Sequence, residues 1–167
     1  MENINTYTLY HGSRSNNLEL TNQKIWLCES EEYAKIWGDN IFKIEITLNN
    51  ILDTYNDLGN KRFSLKRIFK YLKGKNVDTS DFERTTRYND TDEKYSFWEL
   101  ISNHKTINYY GVAQDIFSSG YDAISLFEYG YSRSQKSKTF FVDKPKDKII
   151  SIENITNEKN NPHRESI

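Results

Sequence analysis

The residues of this chain whose types could carry chemistry gather near its start. His11, Gly12 and Ser13 follow the β-rich run Thr6-Tyr7-Thr8-Leu9-Tyr10, and Trp26, Tyr33 and Trp37 come shortly after. Gly12, with no Cβ, permits close approach of its backbone, and the indole rings offer flat faces on which another ring can stack. Such a set suits a planar aromatic cation, which wants two π faces, and a primary amide, which wants a paired backbone donor and acceptor. Acids that could stabilise positive charge stand at the two ends of Tyr121-Asp122-Ala123-Ile124-Ser125-Leu126-Phe127-Glu128. Of these, Asp122 lies before the strand, where it reads as turn chemistry, and Glu128 lies at its end. Neither GxGxxG nor GxxxxGK[ST] occurs, so a nucleotide would not be held by the usual phosphate cradle at a helix N-terminus. His104 and His163 have no partners at metal-ligand spacing, and no metal is expected.

The elements that must position these residues follow from pattern. Thr6–Tyr10 reads as a strand running into a polar loop that ends at Asn17, and Lys24–Cys28 as a short buried strand. Ser30 opens a helix with Glu31 and Glu32 in its positive first turn, and Gly38 stops it. Residues 41–48 are mostly of period two, with Ile41 as the exception, and predict a half-buried strand. Between about 49 and 104 two amphipathic helices are expected, with stripes Leu65, Ile68, Phe69, Leu72 and Tyr95, Trp98, Ile101, separated by a mobile polar stretch from Asp78 to Asp92. A third helix around Val112–Phe117 ends near Gly120. Strands at Tyr121–Leu126, Thr139–Val142 and Lys148–Ile152 follow. This order predicts an α+β class. It places a single domain over 1–155, with a helical insert at about 56–104 and a polar, disordered tail from 156 to 167.

A chain of 167 residues suffices for one core without staples. The single cysteine, Cys28, excludes an internal disulfide framework, sits in an apolar run and points to a reducing, cytoplasmic compartment. No signal-like or membrane-spanning run is present, so no membrane partner is expected. The net charge of −1 gives no global attraction to nucleic acid. Locally, Lys61, Arg62, Lys66, Arg67, Lys70, Lys73 and Lys75 cluster on or beside the first amphipathic helix, opposite its apolar stripe. The first reading of that face is a solvated one balanced by Asp78, Asp81 and Glu83; the alternative is docking of an acidic protein or a nucleic acid.

Leu9-Tyr10-His11-Gly12-Ser13-Arg14 resembles the strand-and-loop motif of ADP-ribosyltransferases of the poly-ADP-ribose polymerase and diphtheria-toxin type. Ile25-Trp26-Leu27, Ser30, Tyr33-Ala34 and Trp37-Gly38 are similar to the segment of that family in which an aromatic-bearing strand leads into a helix carrying a second aromatic. The resemblance is good over Tyr7–Leu48 and looser over Tyr121–Ile152. It implies a split mixed or antiparallel sheet core with flanking helices, and NAD as co-substrate. It further implies that His11 contacts the ribose, the Gly12 backbone grips the carboxamide, and Trp26 and Trp37 sandwich the nicotinamide. Ser13 would help hold the carboxamide, Asn17 would reach the adenosine side, and Tyr33 would line the pocket or serve as core.

The family's catalytic glutamate begins a late strand of the form Glu-x-x-Val, and here Lys138 stands before Thr139-Phe140-Phe141-Val142. Glu128 is the expected substitute. The implied activity is mono-ADP-ribosyl transfer to a macromolecule, a protein rather than a nucleic acid, with His11 and Glu128 catalytic and nicotinamide released. Members of this size serve as toxins or as phage proteins that disable a host complex. The alternatives are an NAD glycohydrolase, with water as acceptor, and a non-catalytic NAD-binding or protein-binding module, for which Lys138 would mark loss of the acid.

Overall fold

A computed structural model of the chain describes residues 4–20, 23–85, 93–102, 110–129 and 136–156. The chain divides into two units, one made of Met1–Asn49 with Tyr129–Ile167 and the other of Asn50–Glu128. In chain order the first segment carries β1 (Thr6–Ser13), β2 (Ile25–Cys28), α1 (Glu31–Ala34) and β3 (Asn40–Thr47). The middle segment begins with β4 (Ile51–Asp53), α2 (Thr54–Asp57), β5 (Phe63–Ser64) and α3 (Leu65–Gly74). It continues with α4 (Ser80–Thr85), β6 (Lys94–Tyr95), α5 (Phe97–Ser102), α6 (Tyr110–Ser118) and β7 (Ala123–Tyr129). The chain returns through β8 (Lys136–Val142), a 3-10 turn at Pro145–Asp147 and β9 (Ile149–Asn154).

The strands of the first unit pair antiparallel in the order β8-β2-β1-β3-β9. Ile44 and Ile46 of β3 are fully buried, as period two requires. Ile41 and Phe42 are adjacent and yet both buried. That breaks the alternation because Ile41 faces α1, where it packs with Cys28, Tyr33 and Ala34, while Phe42 faces the other way. Ser30 caps α1, its Oγ accepting from the Tyr33 N–H at 3.1 Å. The α-helix is shorter than the sequence predicts. After Ala34 the chain tightens into i→i+3 bonds, Ile36 N–H to Tyr33 O and Trp37 N–H to Ala34 O, each 3.1 Å.

In the second unit β4 and β7 pair parallel, with Leu52 opposite Ile124. Leu72, Phe82, Leu100 and Ile116 are fully buried. The helix at 65–74 matches the first expected stripe, whereas the second falls elsewhere, since Tyr95 lies in β6 and α5 buries Phe97, Leu100 and Ile101; the stretch from Asp78 is not a mobile linker throughout. Residues 80–85 form α4, and Phe82 is fully buried with its ring 5.3 Å from that of Phe69. A single phenylalanine in a polar run shows no period, which is why the pattern missed it. Residues 86–92 and the tail from 157 lie outside the described residues. The unit runs from Asn50 to Glu128, wider than the expected helical insert, and includes strands β4 and β7. The class is α+β with a mostly antiparallel sheet. No helix among the described residues is long and apolar enough to cross a membrane.

Candidate functional site

Strand pairing decides what His11 and Gly12 can do. Gly12 stands opposite Ile41 in β3. The Ile41 N–H donates to Thr156 Oγ1 at 2.9 Å and its carbonyl accepts from the Ile155 N–H at 2.9 Å, so both polar groups of Ile41 point away from β1. In an antiparallel ladder bonded and non-bonded pairs alternate, and a residue's N–H and C=O leave on the same side. Gly12 therefore aims its N–H and C=O toward the β2 side. The pairing of β1 with β2 is confined to Tyr10 opposite Cys28, so the ladder has ended by the time β1 reaches Gly12. At that end the His11 Nδ1 lies 2.9 Å from the carbonyl oxygen of Trp26. The imidazole thus meets the β2 carbonyl that a continuing ladder would have offered to Gly12.

The face of the sheet that carries Gly12 is covered by α1. A Cβ added to Gly12 would lie 1.9 Å from the Ala34 carbonyl oxygen, and one added to Gly38 would lie 2.2 Å from the carbonyl carbon and oxygen of Ser13. The missing Cβ at Gly12 therefore serves the seating of α1, and what remains for a ligand is the edge of its peptide units. Sequence reasoning took Gly38 only as a helix stop and missed this second role. Asn40 was also missed: its Nδ2 donates to the carbonyls of Ser13 and Arg14, each at 3.4 Å, and fixes the strand end. Register offers a signal for it only once β3 is paired with β1, since Asn40 stands opposite Ser13.

The aromatic residues take three different environments. Trp26 stands opposite Phe141 in β8, their rings stacked 4.5 Å apart at 26°, and Trp26 is half-buried. Tyr33 is core, 4% exposed and packed with Cys28, Ala34 and Ile41. Its ring edge meets Trp37 at 6.3 Å and 65°, and Trp37 is 45% exposed. The meeting of β1, β2 and α1 thus gathers His11, Gly12, Trp26, Tyr33 and Trp37. Ser13 Oγ accepts from the Ser15 N–H at 3.1 Å and Ser15 Oγ from the Asn17 N–H at 3.2 Å, so Ser13 and Asn17 shape an exposed turn. Cys28 is buried, its Sγ directed at the carbonyls of Tyr10 and Ser30.

Alternation along the strands puts His11, Leu27 and Phe140 on the face opposite Gly12, Trp26 and Phe141. Lys138 shares the face of His11, with its Nζ 5.4 Å from the Phe140 ring centroid. Glu128 belongs to the second unit, on β7, and is 7% exposed. Asp122 is structural there: it bridges to Asn50 through N–H to Asn50 O at 2.7 Å and through its carboxylate, which accepts from the Asn50 N–H at 3.1 Å. His104 and His163 lie outside the described residues. Among the described residues no group of His, Cys, Asp and Glu is arranged to hold a metal ion.

No protein-family model matches the chain, and no curated protein matches it. Among solved structures it is similar to one titled as the crystal structure of an anti-CRISPR protein, at 16% sequence identity and a TM-score of 0.45, covering 92% of this chain and 98% of that one.

Proposed function

We propose that the chain is a mono-ADP-ribosyltransferase that binds NAD at the end of the β1–β2 ladder and transfers ADP-ribose to a macromolecular acceptor. The observation that carries this reading is the direction of the Gly12 peptide groups, which leave toward the side where the ladder has ended, beside Trp26. A donor and an acceptor side by side are what a primary amide requires, and an indole ring is a surface on which a pyridinium ring stacks. The nicotinamide would lie on Trp26 with Trp37 as its second wall, and the resemblance to ADP-ribosyltransferases assigns the ribose to His11.

In this reaction the bond from C1′ of the ribose to the nicotinamide nitrogen breaks, and its electron pair leaves with nicotinamide, neutralising the pyridinium. A nucleophile of the acceptor bonds to C1′ and gives up its proton. Positive charge builds on the ribose meanwhile, and a carboxylate facing it lowers the barrier. Glu128 is assigned that role because the resemblance puts Lys138 where the usual glutamate would stand, and an ammonium cannot supply it.

The test begins with NAD itself. Binding followed by tryptophan fluorescence and by calorimetry is expected for the intact chain and is expected to weaken at least tenfold in Trp26→Ala. Nicotinamide release is then measured with and without candidate acceptors, and the acceptor's mass is followed. Release with a matching mass gain supports transfer, whereas release without an adduct supports the glycohydrolase. The Lys138 position favours a second reading, a module that binds NAD without turnover. Binding without release in the presence of an acceptor would establish that reading, and absence of NAD binding would remove both.

A further inference from the structure

We infer that the exposed face of α3 is a docking surface for an acidic protein segment. The helix buries Ile68, Phe69 and Leu72, so Lys66, Arg67, Lys70 and Lys73 stand on its exposed side. Neighbouring acids neutralise only part of the local positive charge. Lys73 pairs with Glu83 at 3.0 Å, Lys75 with Asp57 at 3.1 Å and Arg62 with Glu99 at 3.3 Å. Lys61, Lys66, Arg67 and Lys70 have no carboxylate at ion-pair distance among the described residues. Among the described residues, four cations on one helix and its leading loop thus have no carboxylate partner, and an acidic segment would complement them.

These cations border concave surface. Two clefts, of about 780 and 760 Å³, are both lined by Arg67 and Lys70; the first also by Lys61, Phe63 and Tyr71, the second by Lys66. The Arg67 guanidinium rests 4.7 Å from the centroid of the Phe63 ring, an arrangement that orients its fork and keeps it weakly hydrated. Tyr71 donates to Asp57 at 2.7 Å, and burial, reinforced by Asp57, pushes its phenol far above the ordinary range. The phenol therefore stays neutral, and Asp57 is held by Tyr71 and Lys75 together. A partner meets apolar rings between cations, the complement of a segment that alternates carboxylates with apolar side chains.

Extent distinguishes a protein from a nucleic acid here. A helix of ten residues is ~15 Å long, room for only a few carboxylates. Acids flank these cations: Asp57 lies against Tyr71 and Lys75 in the first cleft, and Glu83 against Lys73 in the second. A phosphate backbone running across both clefts would meet those two carboxylates, whereas a short protein segment can set its few carboxylates on Lys66, Arg67 and Lys70 between them.

Binding of a fluorescent peptide of alternating Glu and Leu, measured by anisotropy over a range of salt, tests this. Labelled single-stranded and double-stranded DNA and RNA oligomers serve as competing probes. Salt-sensitive peptide binding is expected, at least tenfold weaker in Lys66→Glu/Lys70→Glu and about threefold weaker in Lys66→Ala/Lys70→Ala, with thermal unfolding unchanged in both because the side chains are exposed. Tighter binding of a nucleic acid than of the peptide would overturn the inference, as would peptide binding indifferent to these variants or no peptide binding at all. The readout does not involve NAD, so its failure leaves the proposed reaction standing and the reverse holds too.

Discussion

Gly12→Ala isolates the contact on which the candidate site is built. The new Cβ would lie 1.9 Å from the Ala34 carbonyl oxygen and 2.9 Å from its carbon, against a floor near 3.0 Å for real Cβ contacts. That carbonyl cannot swing aside, because it accepts from the Trp37 N–H at 3.1 Å within the turn that ends α1. Strand β1 and helix α1 must therefore separate by about 1 Å, which loosens the packing of Cys28, Tyr33, Ala34 and Ile41. Overpacking of this kind costs about 1–3 kcal/mol, and the upper end applies where backbone meets backbone. At roughly 2–4 °C per kcal/mol for a chain of this size, Tm should fall by about 6–12 °C. Thermal unfolding followed by circular dichroism and by tryptophan fluorescence measures this, since Trp26 and Trp37 both lie in the first unit. Gly38→Ala should cost a similar amount, because its Cβ would lie 2.2 Å from Ser13. The double variant should fall short of the sum by at least ~1 kcal/mol, since one separation relieves both clashes. A Gly12→Ala protein that melts within 2 °C of the parent, at roughly 0.5–1 kcal/mol, would refute the close approach of α1 to β1.

Other perturbations reach the remaining claims. Phe82→Ala should destabilise by about 3–5 kcal/mol in denaturant unfolding, since the ring is fully buried against Phe69, and a loss under ~1 kcal/mol would return residues 80–85 to an unpacked segment. Asp115 is pushed above its ordinary value near 3.8 mainly by burial, with Asp81 and Asp78 adding to the shift and the Phe82 N–H, 3.3 Å away, opposing it. The folded state then holds the proton more tightly than the unfolded one, so stability is lost as pH rises from about 3.8 through the folded value. Asp115→Asn keeps an acceptor for Phe82 and should gain on the parent across that window; a gain that instead grows on acidification would reverse the sign. If the proposed transfer holds with Glu128 as its carboxylate, Glu128→Gln should lower nicotinamide release by about a hundredfold or more while NAD affinity changes less than threefold, as expected of a group acting on transition-state charge. Equal turnover in parent and variant would move the carboxylate elsewhere.

How much of this could be read from the chain alone depended on what kind of regularity each feature left there. The strands of the first unit were visible because alternation and β-branched residues mark them, and α3 because its apolar stripe repeats at helical spacing. Ile41 broke the alternation for a reason no local pattern carries: α1 covers one face of the sheet there and Phe42 packs on the other. The three-residue β4 and four-residue α2 are too short to show a period. At the candidate site the residue types were visible and their roles only partly so. His11 and Gly12 were singled out, but that Gly12 turns its peptide groups toward β2 depends on Thr156 and Ile155, more than a hundred positions away in sequence. Phe141 as the partner of Trp26 likewise depends on β2–β8 register.

The register also couples His11 to Gly12 at the candidate site. Had β1 and β2 stayed paired past Tyr10, the Trp26 carbonyl would have taken the Gly12 N–H, and both strands would have had their polar edges satisfied. Instead the imidazole occupies that carbonyl from the side, at the cost of one ladder step, and the Gly12 peptide edge is turned toward the end of the ladder. His11→Ala and His11→Gln should therefore differ in a way that a residue touching only ribose would not require. Glutamine can still donate to the Trp26 carbonyl and should preserve the strand end, with Tm near the parent's. Alanine leaves that carbonyl to be reclaimed by Gly12, so the ladder extends and NAD affinity falls more than in the glutamine variant. Hydrogen exchange at the Gly12 amide reads this directly: slower exchange in His11→Ala than in the parent is expected, and unchanged exchange would mean that the histidine does not hold the ladder open.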